Sequence, residues 1–112
     1  MHPIAAAMNR ALKILGSLSA NAASTTVTSS TRTIKGNGTL LFNNLAGGGI
    51  PYYSKNGGSF TLLTEALTLA VAAGDTLQVH VTGLSPGTCT FDIRNNAGLQ
   101  PLIQSVTLRN TL

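Results

Sequence analysis

A chain of 112 residues has room for one domain with one modest hydrophobic core. Charged residues make up only 9% of it, against about 25% in an ordinary soluble domain, so Thr, Ser, Asn and Gly must supply the polar surface. The net charge of +4 is the balance of three acidic residues and seven scattered basic ones, Arg10, Lys13, Arg32, Lys35, Lys55, Arg94 and Arg109, without the basic cluster interleaved with aromatics that marks a nucleic-acid module, and no stretch approaches the ~20 apolar residues of a membrane span.

Residues 1 to 18 read as an N-terminal amphipathic helical arm. Ile4, Met8, Leu12, Leu15 and Leu18 fall on one stripe, while Asn9, Arg10 and Lys13 lie off it. Pro3 suits a first helical position, and Gly16 should weaken or end the last turn. An isolated helix this short is marginal in water, so its stripe needs a partner: its own domain, an identical copy or another protein. The five stripe residues are therefore interface candidates. Ile14 to Ala20, ahead of Ala20-Asn21-Ala22, has the outline of a secretory leader, but Gly16, Ser17 and Ser19 break its apolar run. Residues 19 to 30 (SANAASTTVTSS) are small, polar and uncharged, which predicts an extended linker ending in an edge strand at Thr25 to Thr28.

A β domain is expected over residues 31 to 112. Thr31 to Lys35 forms a strand with Ile34 inward, and Gly36-Asn37-Gly38 a turn. Thr39 to Asn43 is a short strand, and Asn43 to Gly49 (NNLAGGG) a flexible loop. That loop lacks the Lys-Ser/Thr and the following helix of a phosphate loop. Ile50 to Ser54 reads as an edge strand because Pro51 cannot donate to a ladder. Lys55-Asn56-Gly57-Gly58 is a primed hairpin turn, and Ser59 to Thr64 returns with Phe60 and Leu62 on one face. Leu67, Leu69 and Val71 alternate in a further strand, followed by a turn at Ala72 to Asp75.

Thr76 to Arg94 carries the strongest signal. TLQVHVT and TCTFDIR alternate with period two around GLSPG, as an antiparallel hairpin would. The implied register sets Gln78 against Asp92, His80 against Thr90, Val79 against Phe91, Val81 against Cys89 and Leu77 against Ile93. Cys89, the one cysteine, reads as a small buried hydrophobe. After a turn at Asn95 to Gly98, Val106 and Leu108 alternate in a final strand. The count is about eight short strands with frequent turns, an all-β antiparallel sandwich or jelly roll.

Chemistry is sparse. Glu65, Asp75 and Asp92 are the only carboxylates. His80 near Asp92 could form an acid/base pair, but no nucleophile sits in a recognisable elbow. Two histidines, His2 and His80, have no companion ligands at metal spacing. The expectation is no catalysis and no cofactor or metal. Tyr52 and Tyr53 point to opposite faces of one strand: one belongs in the core, and the other could anchor an interface or a carbohydrate contact.

The arm Pro3 to Leu18, the linker through Ser30 and Ala73-Gly74-Asp75-Thr76-Leu77 give an architecture that resembles the small β-sandwich decoration or cement proteins of tailed-bacteriophage capsids. The resemblance implies a virion structural protein at the capsid surface, present in many copies, a homo-oligomer clamping neighbouring subunits of the major capsid protein. The connector before the β domain and the late strand Thr88 to Arg94 also resemble the jelly-roll subunits of bacterial spore appendages. Those connectors usually carry cysteines, and this one has none. A self-assembling filament subunit and a carbohydrate- or receptor-binding module of a phage fibre remain the alternatives.

Overall fold

Alternation of apolar with Thr-rich polar residues dictates extended structure, because a strand sends successive side chains to opposite faces. The computed structural model describes residues 15–95 and 102–112, and these form ten strands and no helix. They are β1 (Ala20–Ala22), β2 (Val27–Thr28), β3 (Arg32–Thr33), β4 (Gly38–Gly47), β5 (Ile50–Lys55), β6 (Thr61–Leu62), β7 (Leu67–Val71), β8 (Thr76–Thr82), β9 (Gly87–Asn95) and β10 (Leu102–Asn110). One sheet has the order β1-β10-β9-β4-β7. The other has the order β2-β8-β5-β6, with β3 also paired to β8. All pairings are antiparallel except that of β1 with β10.

The inner faces of the two sheets share one core. Leu77, Val79 and Val81 come from β8, Cys89, Phe91 and Ile93 from β9, Leu40 and Phe42 from β4, and Val106 and Leu108 from β10. Phe42 sits centrally, its ring centroid 6.0 Å from that of Tyr53 on the opposite sheet and 6.2 Å from that of Phe91 beside it. Burying each of these large side chains contributes about 1.5–3 kcal/mol.

The strands of Thr76 to Arg94 form where expected, but they do not pair with each other. β8 lies in one sheet and β9 in the other. Their GLSPG connection is an arch over the end of the core rather than a hairpin turn. Leu84 within it is 2% exposed and plugs that end, its amide bonded to Thr25 O and its carbonyl to Asn110 Nδ2. Gly83 and Gly87, both at positive φ, let the chain turn there. The apolar members of the expected pairs therefore face one core from opposite sheets, and the polar members, His80 and Asp92 among them, lie on opposite outer surfaces.

The glycine run is likewise not a loose loop. β4 continues to Gly47, with a bulge between Asn43 and Ala46, and Gly48-Gly49 carries the chain over to β5 in the other sheet. This crossing runs hard against the first arch, Gly48 N–H donating to Thr88 O at 3.1 Å. A Cβ on Gly47 would lie 2.1 Å from that carbonyl oxygen, and one on Gly49 2.5 Å from Val81 Cγ2, so both positions require glycine. Glu65 secures the bulge by accepting the amides of Asn44 and Leu45 at 2.9 and 3.1 Å.

Two further expectations change. Leu15 and Leu18 lie in non-helical backbone and are 5% and 0% exposed, within the core of their own domain. That stretch is held by Gln104 Nε2 on Gly16 O, Arg32 Nε on Ser17 O and Ser19 Oγ accepting Thr107 N–H. Residues 19 to 30, expected as a linker ending in an edge strand at Thr25 to Thr28, supply that strand as β2 and also β1, so that they extend one edge of each sheet. The Ala-Asn-Ala of β1 has no apolar period to signal it; the open edge of β10 recruits it. The remainder of the expected helical arm, with Ile4, Met8 and Leu12, lies outside the described residues, as does most of the expected turn after Asn95. β5 is not an edge strand, for β6 pairs beyond it. Pro51 still leaves its mark: its carbonyl accepts Leu63 N–H, but it has no N–H to return, and β6 ends at Leu62.

Candidate interaction face

The second sheet buries Val27, Val79 and Val81, so the alternate residues of its strands point to solvent. The registers of β2, β8, β5 and β6 then align Thr28, His80, Tyr52 and Leu62 in one row across the outer surface. The Asn56-Gly57 turn makes this alignment possible. Both residues adopt positive φ, and Gly58 N–H bonds Lys55 O, which sets the β5–β6 register. Phe60, on the returning strand approach, folds onto the row.

The rings form a cluster. Phe60 stacks on the His80 imidazole with centroids 3.7 Å apart and an interplanar angle of 12°. Tyr52 meets the same imidazole edge-on at 5.2 Å and 85°. Ile50 and Leu62 flank the cluster at 49% and 48% exposure. Ser54, Gln78 and Thr82 border it on β5 and β8, with no charge among them. Desolvation by these neighbours lowers the His80 pKa, so the ring is neutral at pH 7. A neutral, stacked imidazole offers a flat face and one N–H donor, which suits contact and recognition.

The acid/base pair considered from sequence does not form. Asp92, on the other sheet, accepts Ser105 Oγ at 3.1 Å and Asn44 Nδ2 at 2.9 Å. Asp75 serves a turn: Ala72 N–H and Asn56 Nδ2 donate to it, Lys55 approaches at 3.7 Å, and its pKa is lowered, chiefly by the Ala72 amide. Burial raises the Cys89 pKa and keeps its thiol protonated. Among the described residues, no group of three or more His, Cys, Asp or Glu could hold a metal ion, and no helix is long and apolar enough to cross a membrane. Shallow grooves of about 140 and 260 Å³ flank the two arches, lined largely by glycine backbone from Gly47–Gly49 and Gly83–Gly87.

Of the residues singled out by sequence, Tyr52 stands on this face and Tyr53 packs inward on Phe42. Leu15 and Leu18 belong to the core and are unavailable as a contact surface. Ile50, Phe60, Leu62 and the stacking role of His80 were not anticipated. Phe60 and Leu62 share a face by spacing alone, but only the pairing of β5 with β8 shows that it is the outer one. The chain matches no protein-family model, no curated protein and no solved structure.

Proposed function

We propose that the protein is a non-enzymatic virion structural protein, a decoration or cement protein that binds across neighbouring subunits of the major capsid protein at the capsid surface. The observation that carries this reading is the Tyr52–His80–Phe60 cluster with half-exposed Ile50 and Leu62 beside it. Aromatic anchors of this kind dominate the energy of protein interfaces, and an uncharged border is easily dehydrated. The low overall charge removes a source of repulsion when many copies pack on one shell. In this reading the sandwich supplies the rigid face. Docking gains about 25 cal/mol per Å² of apolar surface buried, multiplied by the number of copies on the shell.

The test is co-sedimentation with preformed shells of the major capsid protein. Tyr52→Ala combined with Phe60→Ala should weaken binding by at least about thirtyfold, as loss of a hot spot of about 2 kcal/mol requires. Undiminished binding by this variant, or no binding by the native protein, would overturn the reading. The same cluster favours one alternative, a carbohydrate-binding module. A pyranose ring can lie on an exposed aromatic face while neutral polar groups such as Gln78 and Thr82 take its hydroxyls. Binding to a panel of neutral glycans, lost in the same double variant and absent with shells, would select that alternative.

A further inference from the structure

Sheet edges are templates for further strands, and folded proteins usually blunt them. Most edges here are blunted. β1 has three residues and β6 has two. β2 and β3 have two each, and the register against β8 slips by one residue between them: Thr28 pairs with His80, but Arg32 pairs with Leu77. β7 is different. It runs unbroken from Leu67 to Val71 as LTLAV, with no charge, proline or bulge, and among the described residues it pairs only with β4. Leu67 and Leu69, on its inner side, are only partly buried against the core. The Ala70 carbonyl accepts a side-chain amine, Lys55 Nζ, at 3.1 Å.

We infer that β7 is a self-pairing edge, at which two copies of this chain join antiparallel about Leu69 and merge their five-stranded sheets into one. The inference is independent of the docking face on the other sheet. About a two-fold axis at Leu69, Leu67 lies opposite Val71 of the second copy, and Thr68 lies opposite Ala70. The inner side then continues the apolar core, and the outer side pairs two small residues, while Lys55 Nζ gives up the Ala70 carbonyl to the second strand. The nearest charges stay within their own chain, Lys55 beside Asp75 and Glu65 on the Asn44 and Leu45 amides, so no charge enters the junction. A contact of this isologous type closes on itself, so it yields dimers and not filaments.

The experiment measures association of the full chain by light scattering over a concentration series. Thr68→Lys and Ala70→Glu are made separately; both side chains are exposed, and unchanged thermal melting verifies the fold. Each variant alone should weaken dimerisation at least about threefold, since like charges then sit diagonally across the junction. An equimolar mixture should recover it, because Lys at position 68 faces Glu at position 70. As a measurement free of mutation, amide exchange over residues 67–71 of the native chain should slow as concentration rises. A monomer at every concentration, a dimer indifferent to both variants, or weakening that mixing does not relieve would each overturn the inference.

Discussion

The outer surfaces of the two sheets are made by the same rule and have opposite character. β8 presents Thr76, Gln78, His80 and Thr82, and β9 presents Thr88, Thr90, Asp92 and Arg94. As isolated strands they are close equivalents. β9 lies between β10 and β4, whose outward residues include Ser105, Thr107 and Asn43, so its surface becomes a polar mesh in which Asp92 is bonded on both sides. β8 lies beside β5, which brings Tyr52, and β6 brings Leu62 with Phe60 behind it. The chemistry of a sheet face is thus set by which strands are neighbours, and the pattern along any one strand cannot supply it.

The core beneath both faces sets the scale for tests of this contrast. Phe42→Ala should cost about 3–5 kcal/mol of unfolding free energy, because its ring joins Tyr53 of one sheet to Phe91 of the other; urea denaturation measures it. A loss below about 1 kcal/mol would mean that the sheets are not coupled through this ring. Next in size is partner binding. Where the Tyr52→Ala, Phe60→Ala variant loses at least about 2 kcal/mol, the matched change on the polar surface, Thr90→Ala with Thr107→Ala, should stay within about 0.5 kcal/mol. Equal losses would erase the distinction between the faces.

The pH response offers a smaller contrast. His80 titrates in the folded chain below its unfolded value of about 6.5, so the unfolded chain binds more protons in that interval. Its contribution to stability is complete above about pH 6.5 and is lost as pH falls through the folded value. The denaturation midpoint should therefore drop between about pH 7 and pH 5, and His80→Gln should flatten that drop. Asp75, whose pKa is lowered, acts in a separate window: its contribution is present above about pH 4 and lost below it. The smallest effect belongs to the polar mesh. Asp92→Asn preserves its shape and should change stability by less than about 1 kcal/mol in the same assay; a larger loss would make that surface a structural element in its own right.

Much of the β structure was legible. The period-two runs of β7, β8 and β9 with their inward sides and the Asn56-Gly57 turn follow from local chemistry alone. β2 was read as an edge strand at Thr25 to Thr28, whereas β1 was hidden because Ala-Asn-Ala at an edge carries no periodic signal. The spacing of Leu15 and Leu18 fits a helical stripe, but the two residues reach the core from irregular backbone, which has no periodic signature in sequence. The candidate face was half visible: Tyr52 stood out, while Phe60, Leu62 and His80 gained meaning only as its neighbours.

By itself, then, the sequence determined an all-β domain, the faces of its main strands and the low charge of its surface, because side-chain alternation and turn geometry act over a few residues. Tertiary structure decided that β8 and β9 belong to different sheets. Apolar stripes such as Leu77-Val79-Val81 and Cys89-Phe91-Ile93 are buried equally well side by side in one sheet or face to face across two. Only the global packing, with Leu84 closing the end of the core and glycines fitting the paired arches, separates those solutions. That choice sends His80 away from Asp92 and against Phe60 and Tyr52.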